Sequence, residues 1–109
     1  MKKKVLHLSV SKQWFDMIAA GEKTEEYREV KHFWIVRLLV DSSAFTLRCV
    51  FKPELLVFKP FTHVLFINGY GNDKPRVEKE IESISIGKPK MGLCPDEWID
   101  TEFFVIKFK

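Results

Sequence analysis

Apolar residues that alternate with polar ones predict strands at several points along the chain. Between Val5 and Val10, the residues Leu6, Leu8 and Val10 fall on one face, which is typical of a strand with one buried side. Similar patterns bounded by Gly and Pro turns predict four more strands: Phe45 to Phe51, Phe61 to Asn68, Arg76 to Ile86 and Phe103 to Phe108.

Two segments carry apolar residues at helical spacing instead. Ser11 to Ala20 is predicted as a short amphipathic helix, because a serine hydroxyl can cap the first turn and Gly21 suits a left-handed residue after the last one. Lys31 to Val40 is predicted as a second helix. Trp14 and Trp34 lie on the apolar faces of these helices, so we expect both in the core.

About six mostly antiparallel strands and two early helices predict an α+β fold, a small β-barrel or curled sheet with helices at one end. The 109 residues suffice for one domain, which we expect to span residues 1–109. Alternation and helical spacing predict a core that includes ten residues: Leu6, Leu8, Phe15, Ile18, Leu47, Leu65, Ile67, Ile84, Phe104 and Ile106.

Composition excludes several classes of protein. With 46% hydrophobic and 30% charged residues the chain is not of the disordered type, and its apolar runs, such as Val64 to Ile67, are too short to span a membrane. The basic start at Met1 to Lys4 lacks an apolar signal-peptide segment after it, so we expect a cytoplasmic protein. Cys49 and Cys94 lie far apart and the three histidines are scattered, so we expect neither a disulfide nor a metal site.

Charge is uneven along the chain. The net charge is +3, and residues 1–52 carry ten basic and six acidic side chains, whereas residues 53–109 carry eight and nine. The first half is therefore the part in which a site for an anionic partner is expected.

The segment Glu22 to Glu29 has no apolar face. If it is extended, Thr24, Glu26 and Arg28 point to one side. A strand in a small domain usually buries one face, so inward Glu26 and Arg28 need a cavity, a partner or water. Lys23 reaches the same place, and three charged groups that converge indicate a site for a polar ligand. The alternative is an edge strand or loop with solvated charges.

An eight-residue segment that begins at Gly21 resembles the G-x-K-x-x-E-x-R signature of the ASCH domain family. Gly21, Lys23, Glu26 and Arg28 match its four defining positions, and the motif follows a short helix that ends at a glycine, as in that family. A late Asn-Gly-Tyr-Gly hairpin and the chain length are similar to those of the small single-domain bacterial and phage members. The resemblance covers most of the chain.

The resemblance implies a PUA-like fold with a cleft beside the motif that binds RNA or a nucleotide, without a cofactor. Lys23 would contact a phosphate or carbonyl, and Glu26 would accept a hydrogen bond from an exocyclic amine of a base. Arg28 would donate a forked pair of hydrogen bonds to a phosphate or a base edge. Gly21 would have a structural role in the motif.

The alternative function is a small hydrolase that acts on a nucleoside or RNA in the same cleft, with Lys23 and Glu26 as its acid–base pair. One branch of the family hydrolyses N4-acetylcytidine with a Lys, a Thr nucleophile and a Glu, and its motif is K-x-x-T-x-R. Here Glu26 occupies the Thr position and Thr24 lies two residues away, so we do not expect efficient deacetylation. The lack of an obvious nucleophile favours binding.

Two aromatic residues outside the motif are candidates for the rim of the cleft. Tyr70 lies between two glycines, which leave its ring uncrowded as a base-stacking platform requires. Trp98 follows a loop rich in Gly and Pro and is placed to line the cleft. The alternatives are a plain turn residue for Tyr70 and a cap on the barrel for Trp98.

Overall fold

The computed structural model describes residues 2–41 and 56–109, which form a small α+β fold. The described residues contain five strands and two α-helices. Strands and helices alternate at the start of the chain, and three strands follow in the second half. In chain order they are β1 (Val5–Val10), α1 (Lys12–Ala19), β2 (Glu25–Arg28), α2 (His32–Leu38), β3 (His63–Asn68), β4 (Arg76–Gly87) and β5 (Phe103–Phe108). The predicted strand Phe45 to Phe51 lies outside the described residues.

The five strands form one mixed sheet with the order β1-β3-β4-β5-β2. Among the described strands β1 and β3 pair in parallel, and the other three pairs are antiparallel. A parallel pair needs a crossover connection, and the connection here includes both α-helices and β2. The long strand β4 pairs with β3 through its first half and with β5 through its second, and its register shifts between Ile81 and Ser83. Such irregularities bend a strand, so the sheet curls.

The curl brings the two edge strands, β1 and β2, towards each other. One Nη of Arg28 in β2 donates a hydrogen bond to the carbonyl oxygen of Ser9 in β1, at 2.9 Å. No strand pairing joins β1 to β2 within the described residues, so the sheet described there is not closed into a barrel. A gap with polar walls therefore remains between the two edges.

Of the ten predicted core residues, most of those that the structure describes are buried. Six predicted residues are buried: Leu6, Leu8, Phe15, Ile18, Phe104 and Ile106. Ile84 packs against them while remaining partly exposed. Leu47 lies outside the described residues.

The prediction for β3 was wrong in its facing. Val64 and Phe66 are fully buried, whereas Leu65 and Ile67 are only partly so. Because four consecutive residues are apolar, the sequence pattern does not show which face of the strand is buried. The pairing with β1 decides it, because the parallel register places Val64 beside buried Leu6.

The end of α1 fixes where the charged segment begins. The backbone N–H groups of Gly21 and Glu22 donate to the carbonyls of Ile18 and Met17, at 3.1 and 2.9 Å, which is the Schellman pattern of helix termination. Gly21 takes a φ of +80°, as predicted for a residue after the last turn. At the other end, Ser11 occupies the N-cap position, but its hydroxyl makes no capping hydrogen bond, contrary to prediction.

None of the helices in the described part of the chain is long and apolar enough to cross a lipid bilayer.

Candidate functional site

A cleft of about 130 Å³ opens between the edges of β1 and β2. We call it the inner cleft. Its polar lining comes from Ser9 in β1, from Ser11 just after that strand, and from Glu26 and Arg28 of β2. Two indole rings, Trp14 and Trp98, also line it. The loop Leu93 to Pro95 supplies the rest of the wall. Trp98 is held in place by its ring, which stacks on Phe103 at 4.7 Å between centroids.

The three charged groups predicted to converge do so, and the carboxylate of Glu26 lies between the other two. Its Oε1 lies 3.3 Å from the Lys23 ammonium and accepts the backbone N–H of Tyr27 at 3.0 Å. Its Oε2 lies 3.1 Å from the Arg28 guanidinium. Glu26 is only 5% exposed, so two cations and a backbone donor compensate a carboxylate that is nearly removed from water.

Lys23 lies behind Glu26 and does not line the inner cleft, being 1% exposed. Its ammonium donates to the carbonyl oxygen of Leu93 and lies within about 5 Å of two aromatic rings, those of Trp14 (5.1 Å) and Tyr27 (4.7 Å). Burial lowers the pKa of Lys23, and the Glu26 carboxylate partly offsets this. Lys23 therefore contacts a residue of the cleft lining, Glu26, without lining the cleft itself.

Arg28 connects the two edges of the sheet. Besides its bond to Ser9, it donates to the carbonyl oxygen of Tyr27 at 2.8 Å and places its guanidinium over the Trp34 ring, 5.4 Å from the centroid. These contacts fix the guanidinium in the lining of the inner cleft and leave part of its five-donor capacity unused.

The other face of β2 holds a second buried carboxylate in a separate arrangement. Glu25 accepts a hydrogen bond from the Tyr27 hydroxyl at 2.8 Å, and the same hydroxyl accepts the backbone N–H of Lys90 at 3.1 Å. Burial raises the pKa of Tyr27, the Glu25 carboxylate adds to this, and the Lys90 N–H opposes it. Glu25 does not line the inner cleft.

A wider depression of about 470 Å³ lies on the far side of Arg28, and we call it the outer groove. It shares Ser9 and Arg28 with the inner cleft. The rest of its lining is basic or aromatic: His7, Phe33, Trp34, Arg37 and Tyr70.

The predicted site residues fall into two groups. Lys23, Glu26 and Arg28 meet at one place, and Trp98 lines the cleft together with Glu26 and Arg28. Gly21 ends α1 just before this group and does not line the cleft. Tyr70 is 84% exposed and belongs to the outer groove. Their roles towards a ligand stay predictions.

Sequence reasoning missed several lining residues. Trp14 and Trp34 were expected in the core, but both are only partly buried and line a depression, although Trp34 also packs against the core. Arg37 lies in the last turn of α2 and gave no signal beyond its charge. Ser11 was predicted only as the N-cap of the first helix, and it also lines the inner cleft.

Within the described residues, no group of three or more His, Cys, Asp or Glu side chains is arranged to hold a metal ion. Comparison of the chain with known protein families, curated proteins and solved structures found no match.

Proposed function

We propose that this chain is an ASCH-type domain of PUA-like fold that binds RNA or a nucleotide, with one base held in the inner cleft. The observation that carries the proposal is the Glu26 carboxylate, fixed between Lys23 and Arg28 in the lining of a small cleft that also has two indole rings. Each part of that arrangement matches one property of a nucleobase.

The size of the inner cleft favours a single base. Sites for drug-sized ligands start at roughly 300 Å³, and this cleft has about 130 Å³. Trp14 and Trp98 offer flat aromatic surface, and bases stack on such side chains in single-stranded RNA recognition.

The charges favour a base that donates hydrogen bonds and carries a nearby phosphate. Glu26 is acceptor-only when ionised, so it suits an exocyclic amine or ring N–H of a base. The charges of Lys23, Glu26 and Arg28 sum to +1, which leaves Arg28 to balance an anion at the mouth of the cleft.

The sheet order also supports the PUA-like part of the proposal. A barrel of this type needs its edge strands to meet, and Arg28 and Ser9 already bring β1 and β2 within one side-chain hydrogen bond. In this interpretation the ligand site is the opening that remains in the barrel wall.

The hydrolase alternative receives less support from the geometry. Thr24, the nearest candidate for the missing nucleophile, does not line the inner cleft. The amine of Lys23 is directed to Leu93 and Glu26 rather than to the cleft. Acid–base chemistry by Lys23 and Glu26 would first require the lysine to leave these partners.

The proposal is tested by a screen of modified and unmodified nucleosides and short RNAs, read by mass spectrometry for binding and for turnover, with N4-acetylcytidine included. We expect bound ligands without turnover. The variant Glu26→Gln should weaken binding about tenfold to a hundredfold, because hydrogen bonds to a charged group are worth about 1.5–3 kcal/mol.

Glu25→Gln is the matched control, since Glu25 is the adjacent residue, is similarly buried and does not line the inner cleft. It should bind like the unmodified protein. Rapid turnover of N4-acetylcytidine that disappears in Lys23→Ala would instead support the hydrolase, and equal binding by both glutamine variants would contradict the proposed role of Glu26.

A further inference from the structure

The outer groove carries chemistry that the inner cleft does not use. Two of its aromatic rings are unusually exposed for their size, Tyr70 at 84% and Phe33 at 63%. They flank a depression more than three times the volume of the inner cleft, and the groove meets that cleft at Arg28 and Ser9. A large exposed ring beside a groove is the arrangement on which a base can stack.

Tyr70 is held in this position by a braced turn. The hydroxyl of Ser9 donates to the carbonyl oxygen of Gly69 at 3.1 Å, which ties the turn to β1. On the other side, Arg76 donates to the carbonyl oxygen of Gly71 at 2.8 Å. Both glycines have a positive φ, +100° and +109°, which a residue with a side chain rarely adopts. The exposure of Tyr70 is therefore part of the folded turn.

The charge of the outer groove is positive. Arg28 and Arg37 line it, together with His7, and none of its described lining residues is acidic. Arg37 makes no hydrogen bond or ion pair with the part of the chain that the structure describes, so its five N–H donors are available to a ligand. A guanidinium in this state matches a phosphate, which it can grip with two parallel hydrogen bonds.

We infer that the outer groove is a second subsite, which binds the next nucleotide of a single-stranded RNA whose neighbouring base occupies the inner cleft. The inference rests on the proposed function and adds to it that the natural ligand is a strand rather than a free nucleoside. Arg37 binds the phosphate that follows the one held by Arg28, and Tyr70 stacks on the second base. Trp34, already covered by Arg28, supports the wall between the two subsites.

The test compares ligands of increasing length on the intact chain. The probes are the nucleoside that binds best in the screen, its 5′-monophosphate, and single-stranded RNAs of two, three and six nucleotides that contain it, each with a DNA counterpart. We expect affinity to rise at the dinucleotide and the RNA to bind more tightly than the DNA.

Variants of the outer groove separate the subsites. Tyr70→Ala should weaken RNA binding about fivefold to a hundredfold, as for loss of one stacked base, and leave nucleoside binding unchanged. Tyr70→Phe keeps the ring and should retain the affinity. Arg37→Gln should lower the slope of log affinity against log salt concentration by about 0.7, the value for one phosphate contact on a single strand.

Lys107→Gln controls for the change in charge, because Lys107 is exposed on β5 and lines neither depression. It should leave the salt slope unchanged. Nucleoside binding that depends on Glu26 but does not increase with strand length would overturn the second subsite and leave the proposed function intact. Failure of both nucleosides and RNAs to bind would overturn both.

Discussion

Strands β2 and β5 are antiparallel neighbours with nearly the same burial and opposite chemistry. Three of the four residues of β2 and five of the six of β5 are buried. In β5 the buried side chains are Phe, Val and Ile, whose burial stabilises the fold by about 25 cal/mol per Å² of apolar surface. In β2 two of them are glutamates, whose burial costs free energy that only partners can offset. The comparison shows that β5 stabilises the fold through apolar burial, whereas β2 places charges in the interior at a cost that their partners must offset.

Within β2, the two glutamates sharpen the same contrast. Glu25 accepts a hydrogen bond from the Tyr27 hydroxyl and pairs with Lys90, and it does not line the inner cleft. Glu26 has two cations around it and still contributes to the cleft lining. Two adjacent carboxylates of similar burial therefore serve as an internal control for each other.

The largest expected effect lies in β5. Phe104→Ala removes a ring that is fully buried in the core, and should lower the free energy of unfolding by about 3–5 kcal/mol. Chemical denaturation measures it. Phe33→Ala, which removes a ring that is mostly exposed, should change stability by less than about 0.5 kcal/mol. Similar losses for the two variants would contradict the described core.

The next effect lies in the charges of β2. Lys23→Met removes one partner of a buried ion pair and should cost about 3 kcal/mol. Lys90→Met removes the exposed partner of Glu25, 3.5 Å away, and should cost less than about 1 kcal/mol. Adding Glu26→Gln to Lys23→Met should restore part of the loss, because the buried carboxylate that has lost one of its two cations is then replaced by a neutral amide. A double variant whose losses simply add would show that the pair is not coupled.

A smaller effect depends on pH. Because burial raises the pKa of Tyr27, the folded chain keeps the phenolic proton at a pH at which the unfolded chain releases it. Above the ordinary tyrosine pKa of about 10, stability should therefore fall, by up to about 1.4 kcal/mol per pH unit from this group. Tyr27→Phe should remove that part of the slope between pH 10 and 12. An unchanged slope in this variant would show that Tyr27 is not the group responsible.

Much of the fold was predictable because its signals are local. The alternation in β1, the helical spacing of α1 and the conformational freedom of Gly21 each depend on residues within a few positions, and the structure has all three. The facing of β3 was not predictable, because four apolar residues in a row fit either face. Only pairing with β1, nearly sixty residues earlier in the chain, selects Val64 and Phe66.

The candidate site shows a similar limit. The segment around Glu26 was recognisable as unusual because it lacks an apolar face. Its burial was not predictable, because the groups that permit it are distant in the chain, among them the Leu93 carbonyl, seventy residues after Lys23. The same holds for Trp14 and Trp34, since helical spacing shows which face is apolar but not whether a depression opens beside it.

The most direct test of the central claim uses the three tryptophans as position markers. Their indole N–H groups give three resonances in a nitrogen-15 NMR spectrum, assigned by replacing each Trp with Phe. On titration with the nucleoside that binds best, the account predicts shifts at Trp14 and Trp98, which line the inner cleft, and a smaller one at Trp34. Saturable binding that leaves both Trp14 and Trp98 unmoved would contradict it.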